Sequence, residues 1–171
     1  MAAATQIATL RQSIPAVDTP GVISGWTPLM MAVGNNRLRV VKRLLENYAD
    51  PAFQNGTKNE RTAFHIASQY GRLRIMKLLF AAYKRGIYRR DIEGGTCLHD
   101  ACGNGKTEIV KYLLQVEDSE DHSYVTVLGQ PHEWDTTYSQ DILDVLEEHY
   151  KRHQDESFML KAKKMRASLN F

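Results

Sequence analysis

Three stretches decide the fold. Thr27–Leu45 reads TPLMMAVGNNRLRVVKRLL, Thr62–Phe80 reads TAFHIASQYGRLRIMKLLF, and Thr96–Leu114 reads TCLHDACGNGKTEIVKYLL. They align without a gap, and their leading threonines are spaced by 35 and then 34 residues. A period of that length marks a supersecondary unit that cannot shield its own apolar side and so stacks on copies of itself. Each unit reads as helix–turn–helix. Thr27, Thr62 and Thr96 stand where a hydroxyl can satisfy an early helical N–H. Pro28 suits the first helical position, since its missing N–H has no intrahelical partner there anyway. Asn36, Gly71 and Gly105 come nine residues after each threonine. A positive φ at that point ends the first helix, and Gly or Asn adopts it at low cost. Apolar residues then recur at helical spacing: Val40, Val41, Leu44 and Leu45; Ile75, Met76, Leu79 and Phe80; Ile109, Val110, Leu113 and Leu114. Ala32, Ala67 and Ala101 fall in register, small enough to let neighbouring first helices approach.

Working outward, the chain has 171 residues, 43% of them hydrophobic and 25% charged. That is the balance of a soluble globular chain, long enough for one domain or one short repeat array. No apolar run approaches the ~18 residues of a membrane span, and the N-terminus lacks the basic-then-apolar pattern of a signal peptide. Two cysteines, Cys97 and Cys102, cannot make a disulfide framework, which points to an intracellular, cytoplasmic or nuclear setting. The net charge of +2 hides a strong sorting. Residues 21–116 hold 15 basic and 7 acidic side chains, residues 117–150 hold 10 acidic and none basic, and residues 151–171 hold 6 basic and 2 acidic.

The repeated pattern resembles the ankyrin repeat. The residues that carry the likeness are Thr27-Pro28-Leu29, Phe64-His65, Leu98-His99, the glycines at 71 and 105, the second-helix rows, Ala49-Asp50, and the turn Asp91–Thr96. The resemblance implies an all-α solenoid of stacked helix–turn–helix units with β-turn fingers and a C-terminal helical tail. It divides the chain into a half-repeat cap over 1–20, with a helix near 3–12, and three repeats over 21–116. An acidic degenerate fourth repeat over 117–150 and a basic helical tail over 151–171 complete it. In the fourth unit Ile142–Leu146 fits a second helix, while Pro131 is misplaced for a first one. Thr137 with Gln140 suggests a capping box for a helix beginning near Ser139 and running to about Ser168. Glu60 stands where the family's turn has glycine.

Other constellations weigh less. Gly103–Thr107 ends like a phosphate-binding loop, but Asp100 occupies the position of the required glycine and a helix, not a strand, precedes it. Cys97, His99 and Cys102 lack the second pair of ligands that zinc needs. Nothing has the spacing of a nucleophile with its base. The resemblance therefore implies a binding scaffold without catalysis, cofactor, metal or small-molecule substrate, and without a membrane. Its partner surface, carried over position by position, holds Ile23, Ser24 and Trp26 in the first unit. The second unit adds Lys58, Asn59, Arg61, Gln69 and Tyr70, and the third adds Tyr88, Arg89, Arg90, Ile92, Glu93 and Asn104. Trp26, Arg61, Tyr70, Tyr88 and Arg89 are of the types that anchor interfaces. The expected partner is a protein segment, plausibly acidic. A basic ladder on the second helices (Arg37, Arg72 and Lys106; Lys42, Lys77 and Lys111) offers an alternative, a nucleic acid or another polyanion. Only Tyr112 interleaves it, which argues against nucleic acid.

Overall fold

A computed structural model describes residue 18, residues 25–54, 59–119 and 139–152, and residues 163, 166 and 167. The expected N-terminal cap helix, the acidic stretch 120–138 with Pro131 and Thr137, and the candidate site residues Ile23, Ser24 and Lys58 lie outside the described residues. Among the described residues the chain is helical, with no strand. The elements are α1 (Pro28–Gly34), α2 (Leu38–Glu46), α3 (Ala63–Gln69), α4 (Leu73–Ala82), a 3-10 turn (Lys84–Tyr88), α5 (Cys97–Gly103), α6 (Thr107–Ser119) and α7 (Gln140–Arg152).

Each helical pair follows from its sequence. Thr27 Oγ1 accepts the Met30 N–H at 3.2 Å, with Pro28 opening α1. In the next two units a histidine completes a reciprocal box. Thr62 Oγ1 accepts the His65 N–H while His65 Nδ1 accepts the Thr62 N–H at 3.1 Å, and Thr96 and His99 repeat this geometry. The three threonines are 0–2% exposed, so these hydroxyls work away from water. Every first helix ends in the same turn. Asn36, Gly71 and Gly105 have φ of 56°, 67° and 67°, and the following N–H of Arg37, Arg72 or Lys106 bonds back to Ala32, Ala67 or Ala101 at 2.8 Å. This is the positive φ expected at those positions. Glu60 takes φ of 50° in register with Gly25 and Gly94 at 64° and 81°, so the glycine's conformation is kept without the glycine.

First helices pack on first helices (α1 on α3, α3 on α5) and second helices on second helices (α2 on α4, α4 on α6). The first-helix row is the more closely packed, which places it on the inner side of the stack. Ala67 and Ala101 are fully buried and Ala32 nearly so, as their register requires. Phe64, Ile75, Met76, Leu79, Leu98, Ile109 and Val110 fill the space between rows at 0–1% exposure. Each such side chain contributes about 1.5–3 kcal/mol by leaving water. Val40 departs from the pattern at 48% exposure, as does Met31 at 50%, although their equivalents Ile75 and Ile66 are buried.

α7 packs on α6, with Ile142, Leu143 and Leu146 fully buried. It begins at Gln140, where the sequence placed it, but an unbroken helix to Ser168 is excluded. Arg166 forks onto Glu147 at 2.7 and 3.0 Å and also meets Asp144. A straight helix would hold residues 147 and 166 about 28 Å apart, so Arg166 belongs to a segment laid back on α7.

Candidate functional site

The inner side of the stack is built from the finger turns and the first helices. Two amides bind adjacent fingers together. Gln54 Nε2 donates to the carbonyls of Glu60 at 3.0 Å and Arg90 at 2.8 Å, and the Ile92 N–H donates to the Asn59 carbonyl at 3.1 Å. Asp91 Oδ1 organises the third finger by accepting the Glu93 and Gly95 N–H groups at 3.1 and 2.7 Å. His65 then ties unit to unit. Its Nδ1 is occupied as an acceptor by Thr62, so Nε2 carries the proton and donates to the Gly95 carbonyl at 3.3 Å. Burial lowers the His65 pKa to about 4, against the pull of the Gly95 carbonyl and with Arg61 and His99 adding to the lowering.

The candidate anchors divide into two groups on this scaffold. Trp26 and Arg61 turn onto the next unit. The Trp26 ring and Ile66 Cγ2 close on Gly34 so tightly that a Cβ there would stand 3.0 Å from Trp26 Cζ3 and 3.7 Å from Ile66. One unit later Arg61 forms an ion pair with Asp100 at 2.6 Å, both side chains largely buried. Ile66 and Asp100 are register equivalents, so the same inter-unit seat is apolar in one case and ionic in the other. Burial raises the Asp100 pKa to about 6, opposed by Arg61 and helped by Asp91 and Glu93. Tyr88 is likewise half-buried against the core. The second group faces out. Tyr70 is 44% exposed at the end of α3, with the Arg72 guanidinium 5.9 Å from its ring centre. Ile92 is 62% exposed at its fingertip. Asn59, Arg89, Arg90, Glu93 and Asn104 are exposed, with Arg90 donating to the Gly94 carbonyl at 2.9 Å and Asn104 to the Asp100 carbonyl at 2.9 Å; Gln69 is half-buried. Exposed Met31 and Tyr48 were not singled out from sequence. Tyr48 holds φ of 64° where a helix-ending turn favours glycine, and that mismatch is the signal that marks it.

The basic ladder separates in the same way. Arg72 donates to the Gly34 carbonyl at 3.2 Å, and the Lys106 stem lies 3.0 Å from where a Gly71 Cβ would be. These two side chains stitch each second helix to the turn of the unit before, which also accounts for Lys106 without a phosphate. The other row, Lys42, Lys77 and Lys111, is exposed. Cys97 and Cys102 are buried at 1% exposure, with burial pushing both thiols far above their ordinary range; Cys97 Sγ donates to the Ile87 carbonyl at 3.3 Å. Among the described residues no group of three His, Cys, Asp or Glu side chains could hold a metal ion, and no helix is long and apolar enough to cross a membrane.

Comparison with known proteins agrees with this geometry. The chain is 37% identical over 92 residues to inversin of Gallus gallus, which is 53% of the chain and 8% of that protein. It is 29% identical over 106 residues to alpha-latroinsectotoxin-Lt1a of Latrodectus tredecimguttatus, covering 62% of the chain and 7% of the toxin. It is 30% identical over 89 residues to the human transient receptor potential cation channel subfamily A member 1, covering 52% of the chain and 8% of the channel. The matched part is thus a small fraction of each of these relatives. A family model of three ankyrin repeats matches residues 2–91, and a single-repeat model matches 93–121. Read together with the thrice-repeated cap and turn, those matches place this chain in the ankyrin repeat family.

Proposed function

We propose that this chain is a non-catalytic interaction scaffold whose inner surface docks a protein segment. Ankyrin repeats are typically protein-interaction modules, which supports the general reading. The observation that carries the specific one is the pair Tyr70 and Ile92. Both are large exposed side chains, one at the end of α3 and one at the tip of a finger that is hydrogen-bonded to its neighbour through the Ile92 N–H and the Asn59 carbonyl. Aromatic and aliphatic anchors of this kind supply most of the energy of a protein interface. The inner surface is close to neutral, since Arg61, Arg89 and Arg90 are balanced in number by Glu60, Asp91, Glu93 and Asp100, with Arg61 and Asp100 forming an ion pair. Its partner is therefore selected by shape and apolar contact more than by charge.

The test is affinity capture from cell lysate with wild-type chain and with Tyr70→Ala/Ile92→Ser. Both substitutions are at the surface, so circular dichroism is expected to show the fold in place. Captured protein is expected to fall roughly tenfold or more. Equal capture by the folded double variant refutes the site.

A further inference from the structure

The excess positive charge of residues 21–116 is concentrated on the outer row of second helices, since the charges of the proposed docking surface nearly balance. Arg39 and Lys42 on α2, Arg74 and Lys77 on α4, and Lys111 on α6 are all exposed. Among the residues of these helices whose burial is described, the exposed acids are Glu46 and Glu108, and Glu108 is paired with Lys111 at 3.3 Å. Lys42, Lys77 and Lys111 occupy one repeat position, so the stacking of α2, α4 and α6 sets them in a row. Packed helices are about 8–10 Å apart. An α-helix advances about 10.5 Å in seven residues, so carboxylates at heptad spacing on a crossing helix meet successive rungs.

The face also limits what can lie there. The ring nearest the lysine row, Tyr112, stands edge-on to Phe80 at 6.3 Å with Lys77 Nζ 5.4 Å above it. That ring is committed within the stack and cannot serve as a platform for a base. Half-buried Leu38, Leu73 and Leu78 lie between the charged residues, and the apolar side chains of a polypeptide can meet them. From charge, pitch and lining we infer that the outer face of α2, α4 and α6 is a second docking surface, and that its occupant is an acidic helical segment of another protein.

The experiment uses the full chain and a fluorescent Glu-rich helical peptide of about 21 residues, three heptads long. A DNA duplex and phosphatidylserine vesicles are assayed beside it. Fluorescence anisotropy is expected to show peptide binding that weakens steeply between low and physiological salt. Lys42→Glu/Lys77→Glu/Lys111→Glu should reduce it roughly tenfold or more, whereas Tyr70→Ala/Ile92→Ser should leave it unchanged. Circular dichroism confirms that each variant is folded. Absence of peptide binding overturns the inference, as does binding indifferent to the triple variant. Tighter binding of the duplex or the vesicles through the same lysines also overturns it, in favour of a phosphate partner. None of these outcomes bears on Tyr70 and Ile92, so the two surfaces stand or fall separately.

Discussion

At the scale of single residues, His65 shows how one side chain serves both its own helix and the next unit. Its Nδ1 closes the box with Thr62 and its Nε2–H reaches Gly95, so only the neutral ring fits. The folded-state pKa of about 4 lies below the ordinary value of 6.5. Its contribution to stability is therefore complete above pH 6.5 and is lost as pH falls toward 4. Asp100 has the opposite sign. With a folded value of about 6 against 3.8, its contribution is present at low pH and is lost as pH rises through 6. The two partly cancel between about pH 4 and 6. Thermal melts across that window should show Asp100→Asn losing more melting temperature on acidification than wild type, and His65→Gln losing less. Identical slopes for all three proteins would contradict the assignment. The threonine caps and the positive φ at 36, 71 and 105 were legible in the sequence because they are local, set by residues three to nine positions apart; the histidine side of each box was not read from it. The roles of Trp26 and Arg61 were not. Whether such a side chain faces solvent or the next unit depends on Ile66 and Asp100, about 40 positions away, and linear spacing does not report what lies across an interface.

At the scale of elements, the second helices differ most at their C-terminal ends. α2 ends in a turn through Tyr48, whereas α4 leads into the 3-10 turn Lys84–Tyr88, which buries Ile87. This insertion fits only because of Gly86. A Cβ there would stand 2.0 Å from Phe64 Cε2, and the Phe64 ring is fully buried. Gly86→Ala is expected to destabilise the chain by about 1–3 kcal/mol or more through overpacking, read as a lower urea midpoint with unchanged slope. A midpoint within error of wild type would show that the turn can move away. Helices with strong apolar periodicity were legible, including Ile142–Leu146 in α7. The fold-back of Arg166 was not, because it rests on an ion-pair choice of Glu147 and Asp144 that no periodicity encodes.

At the scale of the whole molecule, stability is a chain of neighbour contacts, each unit leaning on the one before. The Trp26–Ile66 and Arg61–Asp100 seats are two chemical solutions to one geometric problem. Removing one partner of the ionic seat leaves a largely buried charge, while replacing both with apolar residues does not. Asp100→Ala alone should therefore lower the melting temperature, and Arg61→Met/Asp100→Ile should restore it to wild type or above. A double variant weaker than the single one would mean that the ion pair itself holds the second and third units together. The two thiols make the third unit a built-in reporter. Cys97 and Cys102 lie on α5, sealed and protonated while the units are stacked. An alkylating reagent reaches them only when that repeat parts from its neighbours, so the labelling rate times the opening of a single rung of the array.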